Sequence, residues 1–290
     1  SIGRGFHRTA LRFSIKMFER CLGIQNVLHP YVLKILIDDW YERADIVHFH
    51  LVHNELISLL SVPKIAREKK LIHAMNLNCR FYPIAYQMRE MVRSGEVGDI
   101  FTIHGGYHQD WLFYDTDYNW RLEPALSGDS RAFADIGSHW IDLVEFITGL
   151  HVVEVMADFE TFHKTRKKPL KAVDTYSGMK LRPEDYQEVP IQTEDYAAVL
   201  FHFDNGAHCC CHITQVFAGR KNQMVLSIAG SKNSLHWDSE ASNEVWIGRR
   251  DRDNGQLVKD PSILMPKTAG VVSYPGGHVE GFADTFKQNF

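Results

Sequence analysis

From about residue 152 onward, apolar and polar residues come close to strict alternation, which predicts strands with one covered face. VVEVMADFETF (152–162) is one such run. EDYAAVLFHF (194–203) and AHCCCHITQVF (207–217) are two more, separated by Asp204, Asn205 and Gly206. That triplet tolerates positive φ, so the pair reads as a hairpin. QMVLSIAG (223–230) and SLHWDSE (234–240) repeat the arrangement across Gly230, Ser231, Lys232 and Asn233, and NEVWIGRR (243–250) supplies a further strand. Successive hairpins without helices between them predict a large open antiparallel sheet, covered by helices on one face. The charged, proline-containing segment 163–192 reads as a long loop.

Before residue 152 the pattern is different. ADIVHFHLV (44–52) is a short apolar strand, SVPKIAREKKL (61–71) a helix, and IHAMNL (72–77) a second strand. That alternation predicts part of a parallel, doubly wound sheet. In PIAYQMREMVRSGEVGDI (83–100), Ile84, Met88, Met91 and Val92 have helical spacing and Gly95 is a plausible stop. IFTIHGGYHQDWL (100–112) returns to strand.

Helical spacing appears again at 135–149. At about 100° per residue, His139 falls near 40° from Asp135 and Asp142 near −20°, so the three share an arc of about 60°. Trp140, Leu143, Val144 and Ile147 form a separate apolar stripe that can pack on a sheet. Gly149 follows as a C-terminal stop, and Asp135 or Ser138 is placed to cap the start. The ordinary reading of the polar arc is a solvated helix face. An imidazole between carboxylates is also suited to acid/base work, because its unperturbed pKa lies close to working pH.

Composition narrows the class. The chain has 290 residues, is 44% hydrophobic and carries a formal net charge of −4, which fits a globular protein of two domains. No basic block suggests nucleic-acid binding. No apolar run approaches the ~18 residues of a membrane span. Nothing at Ser1 reads as a secretion signal, so a cytoplasmic protein is expected. The five cysteines include three in succession, Cys209, Cys210 and Cys211, which is a poor disulfide framework. In HCCCH (208–212), a strand would put His208, Cys210 and His212 on one face at steps of about 6.6 Å. Zinc ligands sit about 2.0–2.3 Å from the ion, so buried strand residues are expected there rather than a metal site. The sixteen histidines are scattered.

SGDSRAFADIGSHWIDLVEFITG (127–149) resembles the substrate-domain helix of the glucose-fructose oxidoreductase / inositol dehydrogenase / rhizopine-catabolism (Gfo/Idh/MocA) family. The hallmark Asp-x-Gly-x-His-x-x-Asp is matched by Asp135, Gly137, His139 and Asp142. ADIVHFH (44–50), NLNCRFYP (76–83), YNWRLEP (118–124) and YPGGHVEGFADTFKQNF (274–290) are similar to further family segments. The resemblance implies an N-terminal Rossmann-like domain at 1–79 that binds NAD or NADP. It implies a C-terminal α+β domain at 80–290, whose sheet builds a homodimer or homotetramer and whose final helix, 281–290, returns toward the first domain. The implied reaction is hydride transfer between nicotinamide and a secondary alcohol of a sugar, cyclitol or related diol. By the same resemblance, His139, Asp135 and Asp142 are the catalytic candidates. Gly3, Gly5, His7, Asn78, Arg80, Trp120 and Arg121 are the cofactor candidates, and Tyr274 and His278 line the substrate pocket. No metal, nucleic-acid or membrane partner is implied.

The chain departs from the family in its first part. GRG (3–5) stands where a fuller glycine fingerprint is usual, and LVHNE (51–55) replaces Thr-Pro-Asn. The family's Glu-Lys-Pro has no counterpart: VPKIA (62–66) contains Lys64 in a helical setting, and no catalytic role is carried to it. The first domain is therefore read as incomplete: either cofactor-binding loops are absent from this sequence, the favoured reading, or the cofactor domain is degraded and the chain is no longer an enzyme. Two alternatives stand beside the dehydrogenase: a non-catalytic dinucleotide- or sugar-sensing regulator, and an NAD-dependent glycoside hydrolase.

Overall fold

The computed structural model describes residue 67, residues 75–171 and residues 181–288. The strand expected at 44–52, and nearly all of the helix and strand expected at 61–77, lie outside the described residues. The chain divides into two compact units, Ser1–Met75 with Trp120–Asp129, and Asn76–Asn119 with Ser130–Phe290.

The second unit is built on one sheet. In chain order its elements are α1 (Pro83–Arg93), β1 (Ile100–His108), α2 (Ser138–Thr148), β2 (Val152–Glu160), β3 (Thr165–Pro169), β4 (Tyr186–Pro190), β5 (Tyr196–Phe203) and β6 (His208–Thr214). They continue with β7 (Gln223–Gly230), β8 (Asn233–Asp238), β9 (Glu244–Arg249), β10 (Gly255–Val258), α3 (Pro266–Ala269) and α4 (Phe282–Lys287). Eight strands form the main sheet in the order β10-β9-β8-β7-β1-β6-β5-β2.

The sheet is mixed rather than uniformly antiparallel. β6 and β7 are consecutive in the chain, yet β1 lies between them, antiparallel to β7 and parallel to β6. The expected hairpins are present elsewhere: β5–β6, β7–β8 and β8–β9 are antiparallel neighbours. In the β5–β6 turn, Gly206 sits at φ 85°, and the Phe203 N–H donates to the Ala207 carbonyl at 3.0 Å. A glycine in left-handed conformation after two turn residues is what a three-residue hairpin loop requires.

Segment 163–192 is not a plain loop. β3 and β4 pair antiparallel as a separate two-stranded sheet. Its sequence, TRKKP against YQEVP, offers no alternating apolar face. The inward residue is Arg166, 1% exposed, so polar contacts replace an apolar anchor.

Alternation sorts the main sheet into two faces. Ile103, Val199, Phe201, Ile213, Leu226 and Ile228 point into the core and are buried. Against them lie Ile84 and Met88 of α1, and Trp140, Leu143, Val144 and Ile147 of α2, in one apolar cluster. The Trp140 indole N–H donates to the Val225 carbonyl at 2.8 Å, which ties α2 to β7. The opposite face carries His104, Leu200, Cys210 and His236, all exposed, so the middle cysteine of the run is not buried as expected. Cys209 and Cys211 are buried, and burial pushes the Cys209 thiol up to about 12.

Candidate active site

α2 begins in an unusual way. One turn of π-helix, Phe133–Gly137, precedes it, and the Ser138 N–H reaches back five residues to the Phe133 carbonyl. A uniform 100° wheel therefore fails before Ser138. Neither Asp135 nor Ser138 caps the helix: Ser138 Oγ donates to the Asp135 carbonyl at 3.0 Å. The cap comes from Glu194, just before β5. Its carboxylate accepts from the N–H groups of Arg131 (3.0 and 2.9 Å) and Phe133 (2.9 Å), and from Ser130 Oγ at 2.9 Å. A carboxylate at this end satisfies donors that the helix cannot satisfy itself and favours the dipole. Gly149 closes α2 in the left-handed conformation, as expected.

Gly137 is required for space rather than for φ. A Cβ there would sit 2.6 Å from the Phe133 ring. The glycine of the motif thus lets the π turn close under the aromatic ring.

His139, Asp135 and Asp142 are all half-buried, so the polar arc is not a solvated face. Burial lowers the His139 pKa, and the charges of Asp135 and Asp142 oppose that shift only in part. The ring is therefore neutral at neutral pH. Its Nδ1 is buried without a hydrogen-bond partner among the described residues. A buried orphan of this kind calls for an explanation, and a ligand is one.

The two carboxylates have separate partners. Asp142, with 11% of its side chain exposed, takes a two-pronged contact from Arg80: Nε donates to Oδ2 at 2.8 Å, and Nη2 meets Oδ1. The hydrogen bond to Asp142 raises the Arg80 pKa further. The guanidinium also lies 5.2 Å from the centre of the Phe146 ring on α2. Asp135 Oδ2 accepts from Gln215 Nε2 at 2.9 Å. Gln215 Oε1 in turn accepts from Arg131 Nη1 at 3.1 Å.

Behind Gln215 is a buried charge cluster. Arg131, Arg166 and Asp195 have no exposed side-chain surface. Asp195 Oδ1 accepts from both guanidiniums, at 2.9 Å from Arg166 Nη2, and Oδ2 accepts the His163 N–H at 3.0 Å. Burial pushes the Asp195 carboxyl up, but Arg131, the His163 N–H and Arg166 together outweigh it and hold it below its ordinary value. Thr193 Oγ1 accepts from Arg131 Nε at 3.1 Å, and backbone carbonyls of Tyr114 and Leu112 take Arg166 at 2.7 and 2.8 Å.

The remaining candidates are distributed. Asn78 is buried, and its amide donates to Thr285 of α4 at 2.7 Å. Tyr274 and His278 are exposed, in a loop held by the buried Lys259, whose Nζ donates to their carbonyls at 3.1 and 2.7 Å. Trp120 and Arg121 belong to the other compact unit, in the short turn Trp120–Leu122, with the guanidinium 4.7 Å from the centre of the Trp120 ring. Gly3, Gly5 and His7 lie outside the described residues. Sequence reasoning passed over Arg131, Glu194, Asp195 and Gln215. The available signal was a pair of acidic residues opening the run EDYAAVLFHF and a glutamine set among apolar residues late in the next, AHCCCHITQVF.

Comparison with known proteins agrees with the fold. The model of the GFO/IDH/MocA C-terminal domain matches residues 86–236. Levoglucosan dehydrogenase of Pseudarthrobacter phenanthrenivorans is 25% identical over 182 residues, covering 62% of this chain and 46% of that protein. The uncharacterized oxidoreductase YfiI of Bacillus subtilis is 26% identical over 61% of this chain and 41% of its own length. The match thus spans under half the length of both curated relatives. Among solved structures, an oxidoreductase domain protein from Kribbella flavida superposes with a TM-score of 0.66 at 29% identity, covering 78% of this chain and 57% of that one. An inositol dehydrogenase homolog from Azotobacter vinelandii, complexed with NAD+, gives 0.65 at 20% identity, covering 78% and 54%. Among the described residues, no helix is long and apolar enough to cross a membrane.

Proposed function

The chain belongs to the GFO/IDH/MocA family through its C-terminal domain, and from that footing we propose that it serves a nicotinamide-dependent oxidoreductase acting on a secondary alcohol of a sugar, cyclitol or related diol. In this reading residues 1–79 carry the NAD or NADP, and residues 80–290 carry the substrate and the surface for self-assembly. The relatives named as a levoglucosan dehydrogenase and an oxidoreductase support it.

The observation that carries the reading is His139. Its neutral imidazole, with a buried Nδ1 that has no partner among the described residues, lies between the fields of two carboxylates on the helix that bears the family motif. As a proton acceptor it takes the hydroxyl proton while the carbon gives up its hydride, leaving a carbonyl. A bound nicotinamide supplies the hydride acceptor. The charge of Asp135 stabilises the charged form of the imidazole. Asp142 fixes Arg80, which keeps 36% of its side chain exposed and so retains an edge for an anionic or hydroxylated ligand.

The test is oxidation of a panel of sugars, anhydrosugars and cyclitols with NAD+ and NADP+, followed by the absorbance of reduced nicotinamide. Turnover that His139→Asn lowers far more than it lowers cofactor affinity is the expected result. Ligand binding with no turnover on any member of the panel would favour the sensor over the enzyme.

A further inference from the structure

We propose that Gln215 is a positioning residue for Asp135, its amide nitrogen setting the direction of the carboxylate that addresses His139. The inference rests on the catalytic reading of Asp135 and His139 given above.

Gln215 is fully buried and directly follows β6. Its backbone is held on both sides. The N–H donates to the Asp195 carbonyl at 3.2 Å, and its own carbonyl accepts the Leu112 N–H at 3.2 Å. The side chain then has one way to lie. Arg131 can only donate, so it claims Oε1, and Nε2 is left facing Asp135 Oδ2. The amide orientation follows from chemistry, because the reversed amide would set NH2 against a guanidinium and oxygen against a carboxylate.

The anchor behind it does not give. Arg131 is pinned by Thr193 and Asp195, Asp195 by Arg166, and Arg166 by three backbone carbonyls. Gln215 transmits the geometry of this cluster across the sheet end to the π turn of the helix. A neutral relay suits the task, since it donates to Asp135 without bringing a cation against His139. Among the described residues, Tyr107 from β1 also interacts with Asp135, and Asp142 from α2 with His139.

The two ends of the amide can be separated. Gln215→Glu keeps an acceptor for Arg131 and replaces the donor to Asp135 by oxygen. Gln215→Leu removes both ends. If Gln215 positions Asp135, Gln215→Glu, which sets a second buried carboxylate against Asp135, lowers the melting temperature and loses kcat, by up to about 100-fold for a misplaced group, with little change in KM. The acid limb of its kcat/KM profile moves as well. If Gln215 only serves Arg131, the folded Gln215→Glu variant keeps the parent's kcat and pH profile, and the proposal falls.

A second readout does not depend on turnover. The His139 imidazole resonance, assigned by its loss in His139→Gln, is titrated in the parent and in both variants. Gln215→Leu adds no charge, so a shifted His139 midpoint in that folded variant reports a reoriented Asp135. An unchanged midpoint overturns the proposal, and if Gln215→Leu does not fold, the kinetic comparison with Gln215→Glu decides. Absence of turnover in the parent would count against the dehydrogenase reading, while the titration would still decide the role of Gln215.

Discussion

Arg131 and Asp195 meet with neither side chain reaching solvent, and Arg166 shares the same carboxylate oxygen. Two buried guanidiniums thus depend on one anion, with threonine, glutamine and backbone acceptors supplying the rest. Asp195→Asn leaves both cations uncompensated, and removing one partner of such a group costs about 3–5 kcal/mol. Chemical denaturation should show a loss of that size with an unchanged m-value. A loss below about 1 kcal/mol would mean that the cluster is not what holds the base of the site.

Gly137→Ala tests the π turn. The added methyl meets the Phe133 ring at 2.6 Å, and Phe133 is held by its N–H to Glu194. Overpacking of this kind costs about 1–3 kcal/mol. The double variant Gly137→Ala/Phe133→Leu should recover part of that loss in thermal melts, because the clash is with the ring and not with the backbone. No recovery would place the conflict elsewhere.

Much of this architecture can be read from the chain. The β5–β6 hairpin follows from a turn triplet ending in a glycine at φ 85°. α2 follows from its apolar stripe and Gly149. The β3–β4 hairpin is hidden because its inward anchor is Arg166, whose anion lies 29 residues away. The insertion of β1 between β6 and β7 is hidden because local pattern favours pairing of consecutive strands. At the site, spacing puts Asp135, His139 and Asp142 on one arc and the family resemblance makes them candidates, while what holds them is not legible. Arg80 is 62 residues from Asp142, and Gln215 is 80 from Asp135. A helical wheel finds side chains on one element. It does not see partners that the sheet brings together, nor a π turn that rotates the first residue of the motif.

Acid should destabilise the protein through its buried histidines. Burial lowers the pKa of His108, His139 and His212. In the unfolded chain each titrates near ~6.5. Below that pH the unfolded state binds protons that the folded state refuses, so stability falls as pH falls from about 6.5. Asp195 works in a lower window, because its depressed pKa preserves stability until pH drops below the ordinary carboxylate range. The melting temperature should therefore decline between about pH 7 and 5, ahead of any carboxylate step. His108→Phe, which keeps a ring stacked between His212 and Phe217, should flatten that decline. An unchanged slope would assign the loss to other groups.

The uncovered face of the sheet should hold the chains together. Met156 (66% exposed), Leu200 (43%) and Trp246 (38%) lie on it, and Met156 and Leu200 border a trough of about 850 Å³ over β1, β2, β5, β6, β7 and β8. An apolar surface of this breadth on the side away from the helices is a surface that wants cover. Leu200 is paired with Met156 on the edge strand β2 and with Cys210 on β6, so a charge there falls between three strands. Light scattering should find a dimer or tetramer for the parent, and Leu200→Arg should shift it toward monomer. Ile263, 62% exposed and outside the sheet, gives the control, since Ile263→Arg adds the same charge and should leave assembly unchanged. A monomeric parent, or equal effects of the two variants, would remove the sheet face from the assembly.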